Sequence, residues 1–465
     1  MRTKNNFQLE HSSDEECISL IHEIAMRMKN PSQIIEQICK PSNQNPSTDQ
    51  SPWGALSLSH GYPGILLFFA TLDDCYPNER WDEMSHQYVL KIKEAIEAEG
   101  VSDPSLFGGL AGICVAIDRA SKRKTRYLRL LTTLNQHLIK QINAFLFPTL
   151  REKIRLGLPA RMEFYDLISG ISGIGAYLIT QTDSAEAFDC LKELLSLAIG
   201  LTRDIQIGSH CIPGWYVPSH YQFLEKDRLE YPKGNFNLGM AHGVTGMLAL
   251  LSTAQIQGIS IQGQKEAIEK ISAWIIAKKQ VDAEHIYWPT RVNFEEEMDE
   301  KSSSSQQAPA AWCYGSAGIA RCLYLAAKAL NDKAVKDLSV SAFQSVFTRA
   351  PGSWILRAPS FCHGNAGVLT LATMMAHDTG SDELKGWIPK IRQQILSAYH
   401  PDFHFGFKDL EPIFKENFTL NQDEPFKMVQ VEKAGLLDGV SGILLSLLSS
   451  VDYQTSWTLP FMLGG

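Results

Sequence analysis

The chain has 465 residues, 44% of them hydrophobic and 20% charged, which is the composition of a folded globular protein. Its 43 basic and 51 acidic residues give a formal net charge of -8 without a dense lysine and arginine stripe, which argues against a nucleic acid partner. The chain start lacks the apolar core of a signal peptide, and the apolar runs are too short to cross a bilayer. We therefore expect a cytoplasmic protein that is not an integral membrane protein.

Two regions are predicted in chain order. Residues 1–50 are predicted to form an N-terminal helical and loop segment that packs on a larger unit, which spans residues 51–465. The nine cysteines are scattered and include no Cys-x-x-Cys pair, so most are expected to be buried thiols and not a disulfide framework.

The larger unit contains one short motif seven times, a Gly-x-x-Gly followed by a strongly apolar segment. The segments after the motifs are apolar almost all round, which predicts buried inner helices, and the segments between them have the spacing of one-sided outer helices. Seven such hairpins predict an all-α fold, a closed α/α toroid or double-layered barrel, because an open stack would need caps at its ends. The motifs are HGYPG at 60, GGLAG at 108, SGISG at 169, HGVTG at 242, YGSAG at 314, HGNAG at 363 and DGVSG at 438.

Two longer connections are predicted to leave the ring. Residues 203–237 are rich in proline, glycine and aromatic residues, which indicates a small excursion that contains β structure. A second excursion is expected near residues 285–309, and its serine-rich end at 299–309 predicts a mobile loop. Because loops on a rigid repeat scaffold often carry recognition, the first excursion is expected to contact a peptide substrate.

Cysteine and histidine occupy equivalent positions in neighbouring repeats. Cys313 and Cys362 each lie two residues before the first glycine of their motif, and His363 lies one residue before it. Equivalent positions of adjacent hairpins lie side by side, so these side chains are expected at one mouth of the ring. Two thiolates and an imidazole suit one Zn²⁺, and three protein ligands leave the fourth position open, as in catalytic sites. The alternative is that both are core cysteines.

A sulfur nucleophile and a proton-transfer group follow from such a site. A metal lowers the pKa of an incoming thiol, and the carbon that the sulfur attacks must then exchange a proton. His242, one residue before its motif glycine, is the predicted acid/base group, with a buried structural histidine as the alternative. Asp166, in the preceding repeat, is predicted to orient that imidazole or, alternatively, to cap the inner helix. His60 has no accompanying cysteine and is expected to support the site or the fold.

Three aromatic residues lie next to these positions. Tyr165, Trp312 and Tyr314 are candidates for apolar substrate contacts at the mouth, and the alternative for each is packing in the core.

The segments FYDLISGISG, NLGMAHGVTG, AWCYGSAG, SFCHGNAG and GLLDGVSG resemble the lanthionine synthetase C-like family of lanthipeptide cyclases, from about residue 50 to the C-terminus. The resemblance implies an α/α toroid with seven inner helices and a central zinc ion held by Cys313, Cys362 and His363. It implies acid/base roles for His242 and Asp166 when cysteine thiols add to dehydroalanine or dehydrobutyrine, which yields lanthionine or methyllanthionine.

The resemblance also implies partners. The substrate would be a dehydrated precursor peptide with leader and core, and the chain would act as a stand-alone cyclase beside a separate dehydratase and a membrane exporter, at the inner membrane face. The segment APAAWCYG departs from the expected pattern, because no basic residue stands just before the cysteine motif to anchor a substrate.

Three other functions are compatible with parts of this pattern. Eukaryotic-type members of the same family imply the addition of glutathione to dehydroamino acids in proteins. Protein prenyltransferases also activate a peptide thiol with zinc on an α/α barrel, but their usual ligands include a carboxylate and their repeats number six. A toroidal scaffold that keeps zinc for structure is the non-enzymatic alternative.

Overall fold

The computed structural model describes residues 14–46, 48, 50–283, 285–299, 308–349, 351–356, 358–413 and 428–464. The loop predicted at 299–309 lies largely outside these residues. The α-helices of the described residues are α1 (Asp14–Arg27), α2 (Pro31–Ile38), α3 (Tyr62–Cys75), α4 (Trp81–Glu99), α5 (Leu110–Ala120), α6 (Leu128–Gln141), α7 (Phe147–Arg155), α8 (Ile171–Leu178), α9 (Ala185–Leu201), α10 (Glu225–Glu230), α11 (Val244–Ile256), α12 (Gln264–Ala277), α13 (Phe294–Asp299), α14 (Ser316–Leu330), α15 (Lys333–Ser345), α16 (Asn365–Thr379), α17 (Asp382–Leu396) and α18 (Val440–Val451). Their strands are β1 (Asp204–Ile207), β2 (His210–Pro213), β3 (Asn235–Asn237), β4 (Gln280–Asp282), β5 (His285–Tyr287), β6 (Arg291–Asn293), β7 (Asp409–Pro412) and β8 (Met428–Val431).

Seven inner helices form the wall of a ring. Each begins directly after the first glycine of a motif, and nearly all of its residues are buried. Each inner helix packs on the next along the chain, and the last packs on the first, so the ring closes. The predicted α/α toroid is therefore confirmed. The inner helices are α3, α5, α8, α11, α14, α16 and α18.

The outer layer consists of one-sided helices that follow the inner ones. Helices α4, α6, α9, α12, α15 and α17 each pack on the inner helix that precedes them or on its neighbour. Helix α1 packs on α18, so the N-terminal segment covers the seventh inner helix. None of the described helices has the length and apolar character that a membrane span requires.

Backbone hydrogen bonds tie the seven loops together at the mouth, which we define as the end of the ring where the inner helices begin. An amide just before each motif donates to a carbonyl of the next repeat, at distances between 2.8 and 3.3 Å, and the seventh repeat donates back to the first. We call the residues two positions before the first glycines the collar. The collar consists of Ser59, Phe107, Ile168, Ala241, Cys313, Cys362 and Leu437.

The second glycine of each motif lies in the first turn of an inner helix, where the neighbouring repeat passes closely. A Cβ atom at Gly173 would lie 2.2 Å from the carbonyl oxygen of Leu167 and 2.8 Å from Cβ of Leu106 in the preceding repeat. The same contacts recur around the ring, and at Gly64 the neighbour is Leu436 of the seventh repeat. Such distances leave no room for a side chain, so the close packing of the ring requires glycine there.

The predicted β-containing excursion is present, and it is joined to the second one. Strands β1 and β2 form a hairpin within residues 203–237, while β3 pairs antiparallel with β6 from the second excursion. A third excursion, the antiparallel hairpin β7–β8 between α17 and α18, was not predicted. It reaches the mouth beside the sixth and seventh repeats.

Candidate active site

Side chains from three consecutive repeats meet at the mouth. Cys313 and Cys362 are collar residues of the fifth and sixth repeats, and the Cys313 amide donates to the Cys362 carbonyl at 3.2 Å. His363 and Asp438 each follow a collar residue directly. One ligand atom each from Cys362, His363 and Asp438 lies within 4.8 Å of the other two. This group is therefore a possible metal site in the described part of the chain.

The Cys313 and Cys362 thiols are hydrogen-bonded to each other. This contact lowers the pKa of Cys313 although burial acts in the opposite direction. It raises the pKa of Cys362 well above its ordinary value, and burial adds to that effect. The pair therefore loses its first proton readily and its second with difficulty, because one thiolate accepts a hydrogen bond from the remaining thiol.

Two carboxylates and a buried lysine surround the His363 imidazole. Nε2 lies 3.2 Å from Asp409 Oδ1, and Nδ1 lies 3.6 Å from Asp438 Oδ1. Burial alone would lower the pKa of His363, but the hydrogen bond with Asp409 and the charges of both carboxylates raise it to about 9. Lys433 lies 2.8 Å from Asp409 Oδ2, and despite burial the contacts with His363 and Lys433 lower the pKa of Asp409 to about 2.

The donor set fits a zinc ion. Because Asp409 holds Nε2 of His363, Nδ1 is the nitrogen that faces the Cys362 and Asp438 side of the cluster. A carboxylate on the far nitrogen of a histidine ligand is the usual arrangement around zinc. Oδ1 of Asp438 is buried and has no hydrogen-bond partner among the described residues, as expected of an atom that faces a cation position.

The third protein ligand has two candidates. Asp438 belongs to the group of closely spaced ligand atoms, which does not include Cys313, whereas Cys313 is brought beside Cys362 by the backbone bond of the collar. We favour Cys313, because a second thiolate matches the softness of the first and because its collar position fixes it next to Cys362.

His242 and Asp166 form a hydrogen-bonded pair on the loops before α11 and α8. Asp166 is fully buried, and its Oδ2 lies 2.6 Å from Nδ1 of His242, whose side chain is 31% exposed. The other oxygen, Oδ1, accepts from the amides of Ser169 at 2.7 Å and Gly170 at 3.0 Å. One carboxylate thus contacts both the turn before α8 and the imidazole. The N-cap of α8 is Gly170 and has no side-chain cap, so the alternative that Asp166 caps the inner helix is wrong. The His242 loop adjoins the cysteine pair, since the Met240 amide donates to the Cys313 carbonyl at 2.8 Å.

The aromatic candidates separate into core and mouth. Tyr165 and Trp312 have no exposed surface, and their polar atoms bond to the carbonyls of Trp215 and Phe461. They pack in the core, which corrects the expectation that they contact substrate. Tyr314 is half-buried at the mouth, where its hydroxyl accepts from Asn237 at 3.1 Å, and burial raises its pKa to about 12.

His60 stands in the first repeat, beside the seventh. It is half-buried, and its Nδ1 is buried without a hydrogen-bond partner in the described residues. Burial lowers the pKa of its imidazole, although the charge of Asp438 acts in the opposite direction.

Sequence reasoning missed Asp438, Asp409 and Lys433. The first had a signal, because Asp438 stands one residue before its motif glycine, as His242 and His363 do. Asp409 and Lys433 had none, since they reach His363 from the unpredicted β7–β8 hairpin and the loop that follows it.

Comparisons with known proteins agree with this architecture. The family model for lanthionine synthetase C-like protein matches residues 52–463. The nisin biosynthesis protein NisC of Lactococcus lactis subsp. lactis is 26% identical over 443 residues, which cover 94% of this chain and 95% of that protein. A solved structure of nisin cyclase aligns with a TM-score of 0.72 at 22% identity and covers 97% of this chain and 98% of its own.

Proposed function

The chain belongs to the lanthionine synthetase C-like family, and on that premise we propose that it is a zinc-dependent lanthipeptide cyclase. It adds the cysteine thiols of a dehydrated precursor peptide to dehydroalanine or dehydrobutyrine and so closes thioether rings. The observation that carries the proposal is that the collar brings Cys313 and the Cys362–His363–Asp438 group next to the Asp166–His242 pair.

Cys313, Cys362 and His363 would hold the zinc, with Asp409 fixing the far nitrogen of the imidazole. Bound zinc would lower the pKa of the peptide thiol, so that its sulfur is present as thiolate near neutral pH. The collar keeps the two cysteines adjacent, and the Asp409–Lys433 pair fixes the plane of the His363 ring.

His242 donates the proton that the α-carbon of the dehydroamino acid gains. When the peptide sulfur attacks the β-carbon, a carbon–sulfur bond forms, and the electrons of the double bond move onto the enolate. The α-carbon must then gain a proton, while the thiol proton has been released to solvent. Asp166 accepts from Nδ1–H of His242, so the doubly protonated imidazole gives its Nε2 proton to the α-carbon and then takes up a proton from solvent.

Zinc content and ring formation, measured on the same preparations, test the proposal. The probe is a dehydrated peptide with one cysteine, and unreacted thiols are alkylated and counted by mass. We expect Cys313→Ala, Cys362→Ala and His363→Ala to lose both zinc and thioether formation. Cys211→Ala is the matched control, because Cys211 is an exposed cysteine on the β1–β2 hairpin and lies outside the seven motifs. Stoichiometric zinc together with cyclisation in a Cys313→Ala/Cys362→Ala protein would refute the ligand assignment.

A second substrate separates peptide cyclisation from glutathione addition. A dehydroalanine peptide without cysteine is supplied together with glutathione and the wild-type protein. Cyclisation of the first probe without a glutathione adduct on the second supports the cyclase, whereas adducts without rings would replace it by the glutathione reaction. Absence of both products, with zinc bound, would favour a scaffold.

A further inference from the structure

An aromatic side chain from the first excursion lies over the acid/base histidine. The ring of Phe223 meets the His242 imidazole edge-on, with centroids 5.7 Å apart and planes at 70°. Phe223 is 46% exposed and the adjacent Leu224 52%, so a pair of large apolar side chains faces open space beside the candidate site. Exposed apolar surface next to a reactive group is typical of a contact for a ligand.

The segment that carries Phe223 is fixed to the toroid. Gln222, its neighbour, is buried and donates to the Val217 carbonyl at 3.3 Å. Tyr221 lies under the Arg161 guanidinium, 5.3 Å from the ring centre, and its hydroxyl accepts from Lys153 at 3.4 Å. These contacts hold the backbone next to Phe223, and the ring itself contacts the His242 imidazole.

The imidazole is thereby held from two sides. Asp166 fixes Nδ1, the Phe223 edge contacts the ring, and Nε2 has no hydrogen-bond partner among the described residues. The His242 side chain is 31% exposed and Phe223 borders it, so a substrate atom close to Nε2 also lies close to the exposed Phe223 ring.

We propose that Phe223 is a substrate-positioning residue, whose exposed face packs on the peptide next to the dehydroamino acid and aligns the α-carbon with Nε2 of His242. This inference rests on the proposed function and deepens it. It assigns to the first excursion a direct part in placing the acceptor, through an apolar contact at the residue that flanks the double bond.

Two measurements on the zinc-loaded protein test the inference. The first is the steady-state conversion of a peptide that carries one dehydroalanine, an apolar neighbour and one cysteine. An aromatic contact corresponds to a factor of about 2 to 13 in binding, so Phe223→Ala should raise KM by about that factor and leave zinc content unchanged. Phe223→Leu should recover most of the loss. Leu229→Ala, which removes a 62% exposed apolar side chain of α10 in the same excursion, should behave like wild type.

The second measurement needs no turnover. Diethyl pyrocarbonate should label His242 faster in Phe223→Ala than in wild type or Leu229→Ala, and the peptide should protect His242 in wild type more than in Phe223→Ala. Wild-type KM and labelling in Phe223→Ala would overturn the inference and leave the proposed function intact. A wild-type protein that forms no thioether but shows the labelling differences would refute the proposed function and retain the contact between Phe223 and peptide.

Discussion

Replacing Asp166 by asparagine separates the two tasks of this carboxylate. Oδ1 accepts from the backbone amides of Ser169 and Gly170, and Oδ2 accepts from His242 Nδ1 at 2.6 Å. Asparagine has one acceptor oxygen, and the two backbone donors will hold it in the Oδ1 position. Its amide group then faces Nδ1, which must accept a hydrogen bond. An imidazole with protons on both nitrogens then has no acceptor for its Nδ1 proton, so the form that donates to the α-carbon is disfavoured.

The expected loss follows from that change. Proton transfer by a positioned side chain contributes about 10² to 10⁴ in rate, and loss of the acceptor for the Nδ1 proton forfeits most of it. We therefore expect Asp166→Asn to lower kcat for ring formation by about 10² to 10⁴ with full zinc content and near-wild-type stability, because the hydrogen bonds to the turn amides are kept. Asp166→Ala should show the same loss of rate and, in addition, a stability lower by about 1 to 3 kcal/mol, because the amides of Ser169 and Gly170 lose their acceptor.

A double-mutant cycle with His242 decides whether Asp166 acts through the imidazole. His242→Asn should keep zinc and lose a similar factor in kcat, and Asp166→Asn added to it should cost nothing more. The coupling energy would then equal the whole effect, about 3 to 5 kcal/mol. A wild-type rate for Asp166→Asn, or a further loss of rate in the His242→Asn background, would refute this reasoning. Zinc loss in His242→Asn would make that residue a metal ligand.

Three further predictions follow from the described contacts. Gly173→Ala should lower the free energy of unfolding by about 1 to 3 kcal/mol in denaturant titrations, because its Cβ has no space, whereas Gly386→Ala on outer helix α17, with nothing nearby, should not destabilise. Asp409→Asn should weaken zinc binding about 10- to 100-fold in competition with a chelating dye, whereas the exposed Asp402→Asn should leave it unchanged. In chelator-treated protein the raised pKa of His363 contributes stability that is full below the ordinary histidine value, about 6.5, and is lost as the pH rises through about 9. Urea midpoints should therefore fall over that interval in wild type relative to His363→Gln, and parallel pH profiles for the two proteins would contradict the assignment.

The ring and the cysteine register could be read from the sequence because both depend on a repeated short pattern. Each inner helix needs a first glycine at its start and a second in its first turn, and the packing of every repeat imposes the same need. Positions counted from that glycine therefore correspond in space. For this reason the motif register alone predicts that Cys313 and Cys362 lie side by side, and the same register applies to Asp438.

The residues that surround the cluster could not be read in the same way. Asp409 and Lys433 enter from a hairpin outside the repeat, and Phe223 enters from another excursion, so no register relates them to the motifs. Their places depend on how each excursion folds back on the ring. The strand pairing of β3 with β6 and of β7 with β8 joins segments whose short lengths give little sequence signal. The burial of Tyr165 and Trp312 could not be predicted from the sequence either, because aromatic residues at these positions occur both in the core and on the surface.

Ring closure and the proposed metal site depend on the same hydrogen bonds. The bonds that join the repeats at the collar run between amides and carbonyls, so the bonds themselves do not require particular side chains there. Cysteine at two neighbouring collar positions is therefore compatible with these bonds, and the bond from the Cys313 amide to the Cys362 carbonyl holds the two cysteine backbones side by side. The bonds of the collar likewise do not require a particular side chain at the residue that follows each collar position. Three of these following residues are His242, His363 and Asp438. Substitutions at these positions can therefore change the chemistry at the mouth in one repeat while the backbone bonds between the repeats are kept.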